Sequence, residues 1–312
     1  MDGRCRREVL YTCSHSQRDT HEFWKAVHAG AVKAQRELQA KGVKVELIWK
    51  GPLREDDRDQ QIQVVENFMT RRVDGILLAP LDSQALVAPV VNAAKAKIPV
   101  VVFDSDLKSD KQISFVATDN YRGGAIAADA LAQLLGEKGN VILLRMAVGS
   151  ASTEEREAGF LDTVKAKHPG LKVISSDQYG GATRETAYQA SQNLLNRYGR
   201  EVDGIFSPNE NTATGMAKAL RDLGKAGGKV KMIGFDSGTQ SVQDLKRGDL
   251  QGLVVQNPLL MGYAGVMALV KHLQGEPVEK RIDTGVVLAT PANMEEAQIK
   301  ALLYPPTDAY LK

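Results

Sequence analysis

The chain has 312 residues, of which 43% are apolar and 25% are charged, a composition typical of a soluble protein with one or two hydrophobic cores. Lysine and arginine nearly balance aspartate and glutamate, so the net charge is only +2, and no stretch carries a dense basic stripe. This argues against a partner that is nucleic acid or an anionic membrane.

The N-terminal segment predicts one short strand and little else. Val9, Leu10 and Tyr11 are apolar, whereas the residues after them are polar up to Thr20. One hypothesis is that residues 12–20 derive from a shifted reading frame, which sequencing of the gene would test. The polar residues that follow the strand include Ser14 and Arg18, which are candidate binding residues.

The cysteines and the apolar stretches limit what else this segment does. Cys5 and Cys13 have no histidine pair near them, so we expect free thiols, no metal and no cofactor. No stretch reaches the apolar length of a membrane span, and the first residues lack the apolar region of a signal peptide.

From residue 21 onward, helical and strand patterns alternate. The predicted strands of the first half are VKVELIWK, VDGILLAP and IPVVVFDSD, and the predicted helices are HEFWKAVHAGAVKAQRELQA, RDQQIQVVENFMTRR and SQALVAPVVNAAKAK. Strands that alternate with amphipathic helices of this length indicate βαβ units. They predict a parallel sheet covered by helices on both faces.

The second half repeats the pattern. Its predicted strands are GNVILLRM, LKVISSDQY, VDGIFSPN and KVKMIGFDSG, and its predicted helices are GGAIAADALAQLLGEK, STEEREAGFLDTVKAKHP, TRETAYQASQNLLNRY and NTATGMAKALRDLGKAG. The strands VDGILLAP and VDGIFSPN match each other between the two halves. The sequence therefore predicts two similar lobes side by side.

One predicted strand in each half ends in the same three residues, Phe103-Asp104-Ser105 and Phe235-Asp236-Ser237. In an open parallel α/β sheet, ligands bind in the crevice outside the carboxyl ends of the strands. Two facing lobes would therefore place Asp104 and Asp236 on opposite walls of one cleft. The alternative is that both aspartates only cap helices or begin turns.

A series of motifs occurs in an order and spacing that is specific as a set. The motifs are HEFWKAVHAGA, VDGILLAPLDS, IPVVVFDSD, VATDNYRGG, EEREAGF, FSPNENTATG, MIGFDSG and VVQNP. From about Phe23 to about Leu288, the chain resembles the type I periplasmic sugar-binding proteins, the ribose and galactose group of ABC-transporter receptors. The resemblance implies an α/β fold of two doubly wound parallel-sheet lobes, joined by a three-segment hinge around a sugar-binding cleft.

The resemblance also assigns ligand contacts. It implies that Phe23 and Trp24 sandwich the sugar ring, and that Asp104 accepts hydrogen bonds from sugar hydroxyls. The full set of expected binding residues is Phe23, Trp24, Asp104, Ser105, Asp106, Arg156, Asn209, Asp236 and Gln256, with Tyr179, Glu210 and Phe235 as further candidates.

These residue types suit a sugar on chemical grounds as well. Carboxylates, an arginine fork and amides satisfy hydroxyls that both donate and accept hydrogen bonds, and aromatic faces cover the C–H surface of a sugar ring. The alternative is structural. Phe23 and Trp24 could be core residues of the first helix, and Arg156 could pair with glutamates on a solvated helix face.

Departures from the family pattern bear on selectivity. Where the ribose receptors have Asp-Arg, this chain has Asp104-Ser105-Asp106, and where they have an asparagine it has Ala79. The expected second-lobe aromatic falls near Ala182, with Tyr179 close by. We therefore expect a roomier, more acidic pocket that binds a hexose, a polyol or an amino sugar and binds ribose negligibly.

The repeat and the resemblance together divide the chain. The first lobe is expected to contain residues 1–118 with 257–283, and the second lobe residues 119–256 with 284–312. The chain would then cross between lobes near Asp119, Gln256 and Asp283, and three crossings form a hinge that allows closure. The tail from Pro291 onward is expected to pack along the second lobe.

The favoured function is that of an extracytoplasmic receptor, periplasmic or extracellular and with or without a lipid anchor, that delivers a sugar to an ABC-transporter permease. We expect it to act as a monomer. The alternatives are a sensing module for a signalling receptor and the effector domain of a transcription regulator. The regulator is disfavoured because no helix-turn-helix or basic N-terminal domain accompanies the lobes.

An enzyme is disfavoured too. No G-x-G-x-x-G follows a strand, no G-x-S-x-G occurs, and the five histidines form no pair with metal-ligand spacing. Asp104 and Asp236 as the acid and base of a glycosidase are the remaining enzymatic alternative.

Overall fold

The computed structural model describes residues 7–12, 21–54 and 56–311, and for residues 7–12 the backbone only. The strands are β1 (Arg7–Thr12), β2 (Val45–Lys50), β3 (Gly75–Leu78), β4 (Val100–Phe103), β5 (Ser114–Ala117), β6 (Gly139–Leu143), β7 (Leu171–Ser175), β8 (Gly204–Phe206), β9 (Lys231–Phe235), β10 (Gly252–Val255), β11 (Arg281–Asp283) and β12 (Val287–Ala289). The helices are α1 (Glu22–Ala40), α2 (Arg58–Thr70), α3 (Val87–Lys95), α4 (Asn120–Leu135), α5 (Ala151–Lys167), α6 (Arg184–Tyr198), α7 (Glu210–Asp222), α8 (Thr239–Arg247), α9 (Pro258–Leu273), α10 (Ala297–Leu303) and α11 (Asp308–Leu311).

The strands form two six-stranded sheets. The first has the order β11-β5-β4-β3-β1-β2 with every pair parallel, and the second has the order β12-β10-β9-β8-β6-β7. In the second sheet only the β10–β12 pair is antiparallel. Five strands therefore follow the same spatial order in both sheets. The predicted fold class, an α/β protein with two doubly wound lobes, is confirmed.

Apolar strands sandwiched between helices form the core of each lobe. β3 and β4 read GILL and VVVF, and every residue of both is buried, as expected for strands covered on both faces. Helix pairs pack closely in each lobe through glycines. A Cβ on Gly30 of α1 would lie 1.9 Å from the Leu259 carbonyl oxygen, and one on Gly124 of α4 would lie 1.9 Å from the Arg156 carbonyl oxygen. Glycine is required at both contacts for these helices to approach.

Four short strands and three helices were not predicted. β5 and β10 overlap the first two residues of the motifs VATDNYRGG and VVQNP, and β11 and β12 are edge strands of three residues each. Three residues carry too little periodicity to be recognised, because pairing with a neighbouring strand alone defines them. The missed helices are α8, whose sequence TQSVQDLKR is largely polar, and the short C-terminal helices α10 and α11.

The chain passes between the sheets at three adjacent places. It passes from β5 in the first sheet to α4 in the second lobe, and from β10 in the second sheet to α9, which packs on α1 in the first lobe. It passes a third time from β11 in the first sheet to β12 in the second. The first and third crossings are hydrogen-bonded to each other, since Thr118 Oγ1 donates to the Gly285 carbonyl at 3.0 Å and Arg281 donates to the Ala117 and Thr118 carbonyls at 2.7 and 2.9 Å. These hydrogen bonds hold the first and third connecting segments side by side.

The C-terminal tail departs from the expectation that residues 284–312 stay with the second lobe. Ile299 and Leu303 of α10 do pack into the second-lobe core. α11, however, lies on α1 of the first lobe, where Arg36 donates to the carbonyls of Ala309 and Tyr310 at 2.8 and 2.9 Å. Residues 304–307 therefore cross between the lobes a fourth time. An arginine that caps the carbonyls of a distant short helix leaves no periodic signal in the sequence.

Several residues of the N-terminal segment that were considered above lie outside the described part of the chain. They are Ser14, Arg18, both cysteines and the rest of residues 13–20, whereas Thr12 ends β1. Within the described residues, no helix is both long and apolar enough to cross a membrane.

His28 on α1 makes the stability of the first lobe depend on pH. Its ring stacks on Trp49 of β2 with centroids 4.2 Å apart, and burial lowers the pKa of His28 from 6.5 to about 4. The folded protein therefore keeps His28 neutral, whereas the unfolded chain binds a proton below pH 6.5. The stability that His28 contributes is present above pH 6.5 and is lost as the pH falls towards 4.

We therefore expect His28→Gln to lose less stability between pH 6.5 and 4 than the parent, by about 1–3 kcal/mol after allowance for partial exposure. Urea unfolding at a series of pH values measures the difference, with the exposed His272→Gln as the matched control. Parallel pH profiles for His28→Gln and the parent would contradict the assignment.

His168 contributes to stability in the opposite direction. Burial lowers the pKa of His168, but its hydrogen bonds to Asp129 and Glu137 outweigh this effect and raise the pKa.

Candidate functional site

A cavity of about 200 Å³ lies between the two lobes, at the carboxyl ends of strands from both sheets. Residues that follow β3 and β4 line one wall, and residues that follow β6, β8 and β9 line the other. The lining residues are His21, Phe23, Trp24, Asp56, Arg58, Ala79, Pro80, Leu81, Asp104, Ser105, Met146, Ala147, Val148, Ser150, Ser152, Thr153, Arg156, Gly181, Ala182, Asn209, Asp236 and Gln256.

The two Phe-Asp-Ser motifs have the same local geometry. Asp104 and Asp236 both adopt left-handed backbone conformations, with φ of 63° and 71°. Each also donates its backbone N–H to the neighbouring strand, Asp104 to the Val116 carbonyl at 3.0 Å and Asp236 to the Val254 carbonyl at 2.9 Å. Aspartate tolerates this conformation better than most residues. The strand ends are thus bent in the same way in both lobes, and both carboxylates line the cavity.

A buried polar cluster surrounds Asp236. Gln256 Nε2 donates to Asp236 Oδ1 at 2.6 Å, and the Arg156 guanidinium lies 3.9 Å from Asp236 Oδ2. Arg156, only 2% exposed, also donates to Asn120 Oδ1 at 2.8 Å and to the Pro208 carbonyl at 2.9 Å. Gln256 Oε1 is buried and accepts no hydrogen bond from any of the residues that the structure describes. The cluster therefore offers an oriented carboxylate and one unused amide oxygen to a donor in the cavity.

Aromatic rings from the start of α1 line the same cavity. Phe23 and Trp24 meet edge to face with centroids 4.9 Å apart, and Trp24 in turn meets Phe103 at 6.2 Å. Trp24 is also part of the first-lobe core. The binding and core interpretations of Trp24 are therefore compatible, because one edge packs inward while another part borders the cavity.

Hydrogen bonds join the two lobes beside the cavity. The hydroxyls of Ser105 and Ser152 lie 2.6 Å apart, one from each lobe. At the start of α1, the Glu22 carboxylate accepts the backbone N–H of Thr239 from the second lobe. The structure is thus a closed arrangement, in which each lobe bonds directly to the other.

The mouth of the cavity is closed by a second group of contacts. The Ser83 N–H donates to the Gly149 carbonyl at 3.0 Å, and Arg58, paired with Asp82 at 3.0 Å, donates to the Val148 carbonyl at 3.0 Å. Gly149 has φ of 93°, and a Cβ there would lie 2.2 Å from Asp82 Oδ2. Only glycine fits at this position while the lobes are closed.

Most of the sequence-predicted residues meet at the cavity. Phe23, Trp24, Asp104, Ser105, Arg156, Asn209, Asp236 and Gln256 all line it.

Four other candidates lie outside the lining. Asp106 accepts the backbone N–H of Leu107, and Tyr179 is 45% exposed. Glu210 is buried in an ion pair with Arg184, and Phe235 lies beneath Arg156, whose guanidinium carbon is 3.9 Å from the ring centroid. Glu210 and Phe235 therefore support the cavity wall from behind.

The sequence reasoning missed one end of the cavity. Arg58 is the first residue of α2, directly after its N-cap Asp57, and Met146, Ala147 and Val148 follow β6. The rule that identified Asp104 and Asp236, namely position after the carboxyl end of a strand, also applies to residues 146–148. They went unnoticed because apolar side chains there carry no chemical signature. Among the described residues, no group of acidic, histidine or cysteine side chains could hold a metal ion.

Glu157 on α5 holds the loop after β6 in place. Its carboxylate accepts from Arg145 at 2.7 Å and from the Met146 backbone N–H at 3.1 Å. Burial raises the pKa of Glu157, while these hydrogen bonds oppose the rise. The loop that carries Met146 is therefore anchored to the second lobe by a buried side chain.

Comparisons with known proteins agree with this architecture. The profile of the family described as "Periplasmic binding protein domain" matches residues 16–277. The ribose import binding protein RbsB of Haemophilus influenzae is 31% identical over 83% of this chain and 84% of its own length.

Two solved structures superimpose with TM-scores of 0.88. One is a carbohydrate transporter solute-binding protein from Agrobacterium radiobacter in complex with D-arabinose, 36% identical, with 96% of this chain and 99% of that chain covered. The other is an ABC transporter solute-binding protein from Agrobacterium vitis with bound D-fucose, 37% identical, with 95% and 100% covered.

Proposed function

Because the chain belongs to the periplasmic binding protein family, we propose that it is the extracytoplasmic receptor that captures a sugar or polyol between its lobes and delivers it to an ABC-transporter permease. The proposal rests on one observation above all. Carboxylates from both lobes, Asp104 and Asp236, line a single cavity together with Arg156 and the unused acceptor of Gln256.

The chemistry of this cavity fits hydroxyl groups. Asp236 accepts from Gln256 and keeps further lone pairs for a ligand, and Gln256 Oε1 takes one more donor. Hydrogen bonds to a carboxylate are charge-assisted and stronger than neutral ones. Phe23 and Trp24 cover the C–H face of the same ligand. A sugar supplies donors and an apolar ring face together.

Two lobes move relative to each other. The first consists of residues 1–118 with 257–283, and the second of residues 119–256 with 284–307. α11 is attached to the first lobe. A ligand that contacts both walls stabilises the closed arrangement through its higher affinity for that state. One chain supplies both walls of the cavity, so a monomer is sufficient for binding. The permease then receives the closed, loaded receptor in the periplasm.

Small-angle scattering and thermal shift with a panel of pentoses, hexoses and polyols test the function. At least one compound is expected to raise the melting temperature and to make the particle more compact. The variant Gly149→Ala leaves the cavity lining unchanged but places a methyl against Asp82 in the closed state, so it is expected to weaken both effects. Failure of every compound to bind at millimolar concentration would contradict the proposal.

Ribose is expected to bind much more weakly than the best compound in this panel. The Ala79 side chain forms no hydrogen bond, and the Ser105 hydroxyl already bonds to Ser152. Sites built to bond hydroxyls discriminate strongly when a partner is missing. Isothermal titration calorimetry measures this selectivity, and ribose binding as tight as that of any other sugar would contradict it.

A further inference from the structure

The C-terminal segment links the two lobes at a place separate from the three hinge crossings. Residues 304–307 leave α10 on the second lobe and lead to α11, which lies on α1 of the first lobe. We call residues 304–311 the terminal latch. Its two ends are attached to the lobes with very different strength.

The end on the second lobe is firmly anchored. Ile299 and Leu303 of α10 belong to the second-lobe core and are only 8% and 2% exposed. The Ser237 hydroxyl donates to the Leu302 carbonyl at 2.9 Å, which ties α10 to the residue that follows Asp236. A movement of the second lobe therefore carries this end of the latch with it.

The end on the first lobe is held through an exposed side chain. Arg36 of α1 donates from both terminal nitrogens to the carbonyls of Ala309 and Tyr310, at 2.8 and 2.9 Å, and its guanidinium carbon lies 5.7 Å from the centroid of the Tyr310 ring. Every residue of α11 is exposed or half-buried. Because charged contacts in water are weak, α11 can leave α1 while α10 stays in place.

The link between these two ends is stiff. It contains Pro305 and Pro306, whose rings fix φ, and the residue before each proline is restricted to extended conformations. The Thr307 N–H also donates to the Pro305 carbonyl at 2.8 Å. A short, stiff link transmits a separation of the lobes to α11 instead of absorbing it. Opening of the cleft therefore strains or breaks the contact between α11 and Arg36.

The latch lies beside the Asp236 end of the interlobe cavity. A second cavity of about 300 Å³ shares Asp236 and Gln256 with the interlobe cavity. Tyr304, Pro305 and Thr307 of the latch line this second cavity, together with residues at the starts of α1 and α8. The latch thus covers the gap between the lobes next to the residues that would hold a ligand.

We propose that the terminal latch restrains the opening of the two lobes, and that Arg36 is the residue through which it holds the first lobe. The free energy of the contact between α11 and α1 favours the closed arrangement and is lost when the cleft opens widely. The latch consequently slows the release of a bound ligand. The effect on release rests on the proposed function, whereas the restraint on opening does not.

Pulsed electron paramagnetic resonance of the ligand-free protein tests the restraint on opening. Spin labels are attached through Glu66→Cys on α2 and Asn193→Cys on α6, two exposed positions on different lobes, in a background with Cys5→Ser and Cys13→Ser. In Arg36→Met we expect the distance between the labels to shift to longer values than in the parent. Superimposable distance distributions would overturn the inference.

Arg197→Met is the matched control. Arg197 is exposed as well, but its guanidinium contacts the ring of Tyr198 within a single helix, α6. The control is expected to keep the parental distances, and both arginine variants are expected to keep nearly the parental melting temperature. A shift of the distances in Arg197→Met equal to that in Arg36→Met would overturn the role of the latch, because it would show a general effect of losing a surface arginine.

Stopped-flow fluorescence of Trp24, which lines the interlobe cavity, measures the release of the sugar that binds best. Release from Arg36→Met is expected to be about 3- to 10-fold faster than from the parent, the size set by exposed charged contacts. A parental release rate would overturn the effect of the latch on the ligand. Absence of binding by every sugar and polyol overturns the proposed function instead, and the label distances in the ligand-free protein still decide whether the latch restrains the lobes.

A double variant, Pro305→Gly with Pro306→Gly, tests the stiffness of the link. It keeps Arg36 and the carbonyls that Arg36 binds, but the glycines allow the link to extend as the lobes separate. We expect the label distances to lengthen as in Arg36→Met, with little further change when Arg36→Met is added, because both changes act on one contact. Parental distances in the double glycine variant would overturn the role of the stiff link.

Discussion

Replacing Asp236 or Asp104 by alanine is expected to weaken ligand binding about 30- to 1000-fold, or about 2–4 kcal/mol. Each carboxylate lines the cavity, and its loss would leave ligand hydroxyls buried without an acceptor. Isothermal titration calorimetry with the best sugar of the panel measures the change. Affinity close to that of the parent in both variants would mean that the two aspartates serve only as turn residues.

Asparagine variants separate the charge from the backbone. Both aspartates have positive φ, where alanine is strained by about 1 kcal/mol or more, whereas asparagine tolerates the conformation. Asp236→Asn and Asp104→Asn keep one acceptor oxygen and lose the charge, so we expect a loss of about 10- to 100-fold. Asparagine variants as weak as the alanine variants would show that the charge itself is required.

Asp236 also contributes to folding. It lies beside the buried Arg156, which would lose its counterion if Asp236 were replaced by alanine. Stability should therefore fall in Asp236→Ala, because an unpaired buried charge is costly.

Replacing Arg156 by methionine is expected to destabilise the protein by about 3–5 kcal/mol and to abolish ligand binding. The guanidinium compensates Asp236, donates to Asn120 and to the Pro208 carbonyl, and stacks on Phe235. Its removal leaves a buried carboxylate and two buried acceptors without these donors. We expect the melting temperature to fall by about 10 °C, measured by calorimetry.

The exposed Arg122, on α4, provides the matched control, since Arg122→Met should change the melting temperature very little. The double variant Arg156→Met with Asp236→Asn is expected to recover part of the lost stability, because the uncompensated charge is removed. A parental melting temperature in Arg156→Met would show that Arg156 belongs to a solvated helix face, as the alternative interpretation of the sequence had it.

The alternation of apolar strands and amphipathic helices was sufficient to predict the fold class and the repeat. This is because burial on both faces of a parallel strand leaves a continuous apolar run in the sequence. The position of Asp104 and Asp236 after such runs also placed them at a sheet edge. Short strands such as β11 and β12 were beyond this reasoning, since only pairing with distant residues defines them.

What the sequence determined, then, is which residues stand at the carboxyl ends of strands, because each such position follows from local periodicity. The tertiary structure alone decided which of these ends face each other. The contact of Ser83 with Gly149, the bond between the Ser105 and Ser152 hydroxyls and the acceptance of the Thr239 N–H by Glu22 join residues far apart in the chain. Such contacts depend on how two lobes close on each other, and closure is a property of the folded hinge that no local pattern records.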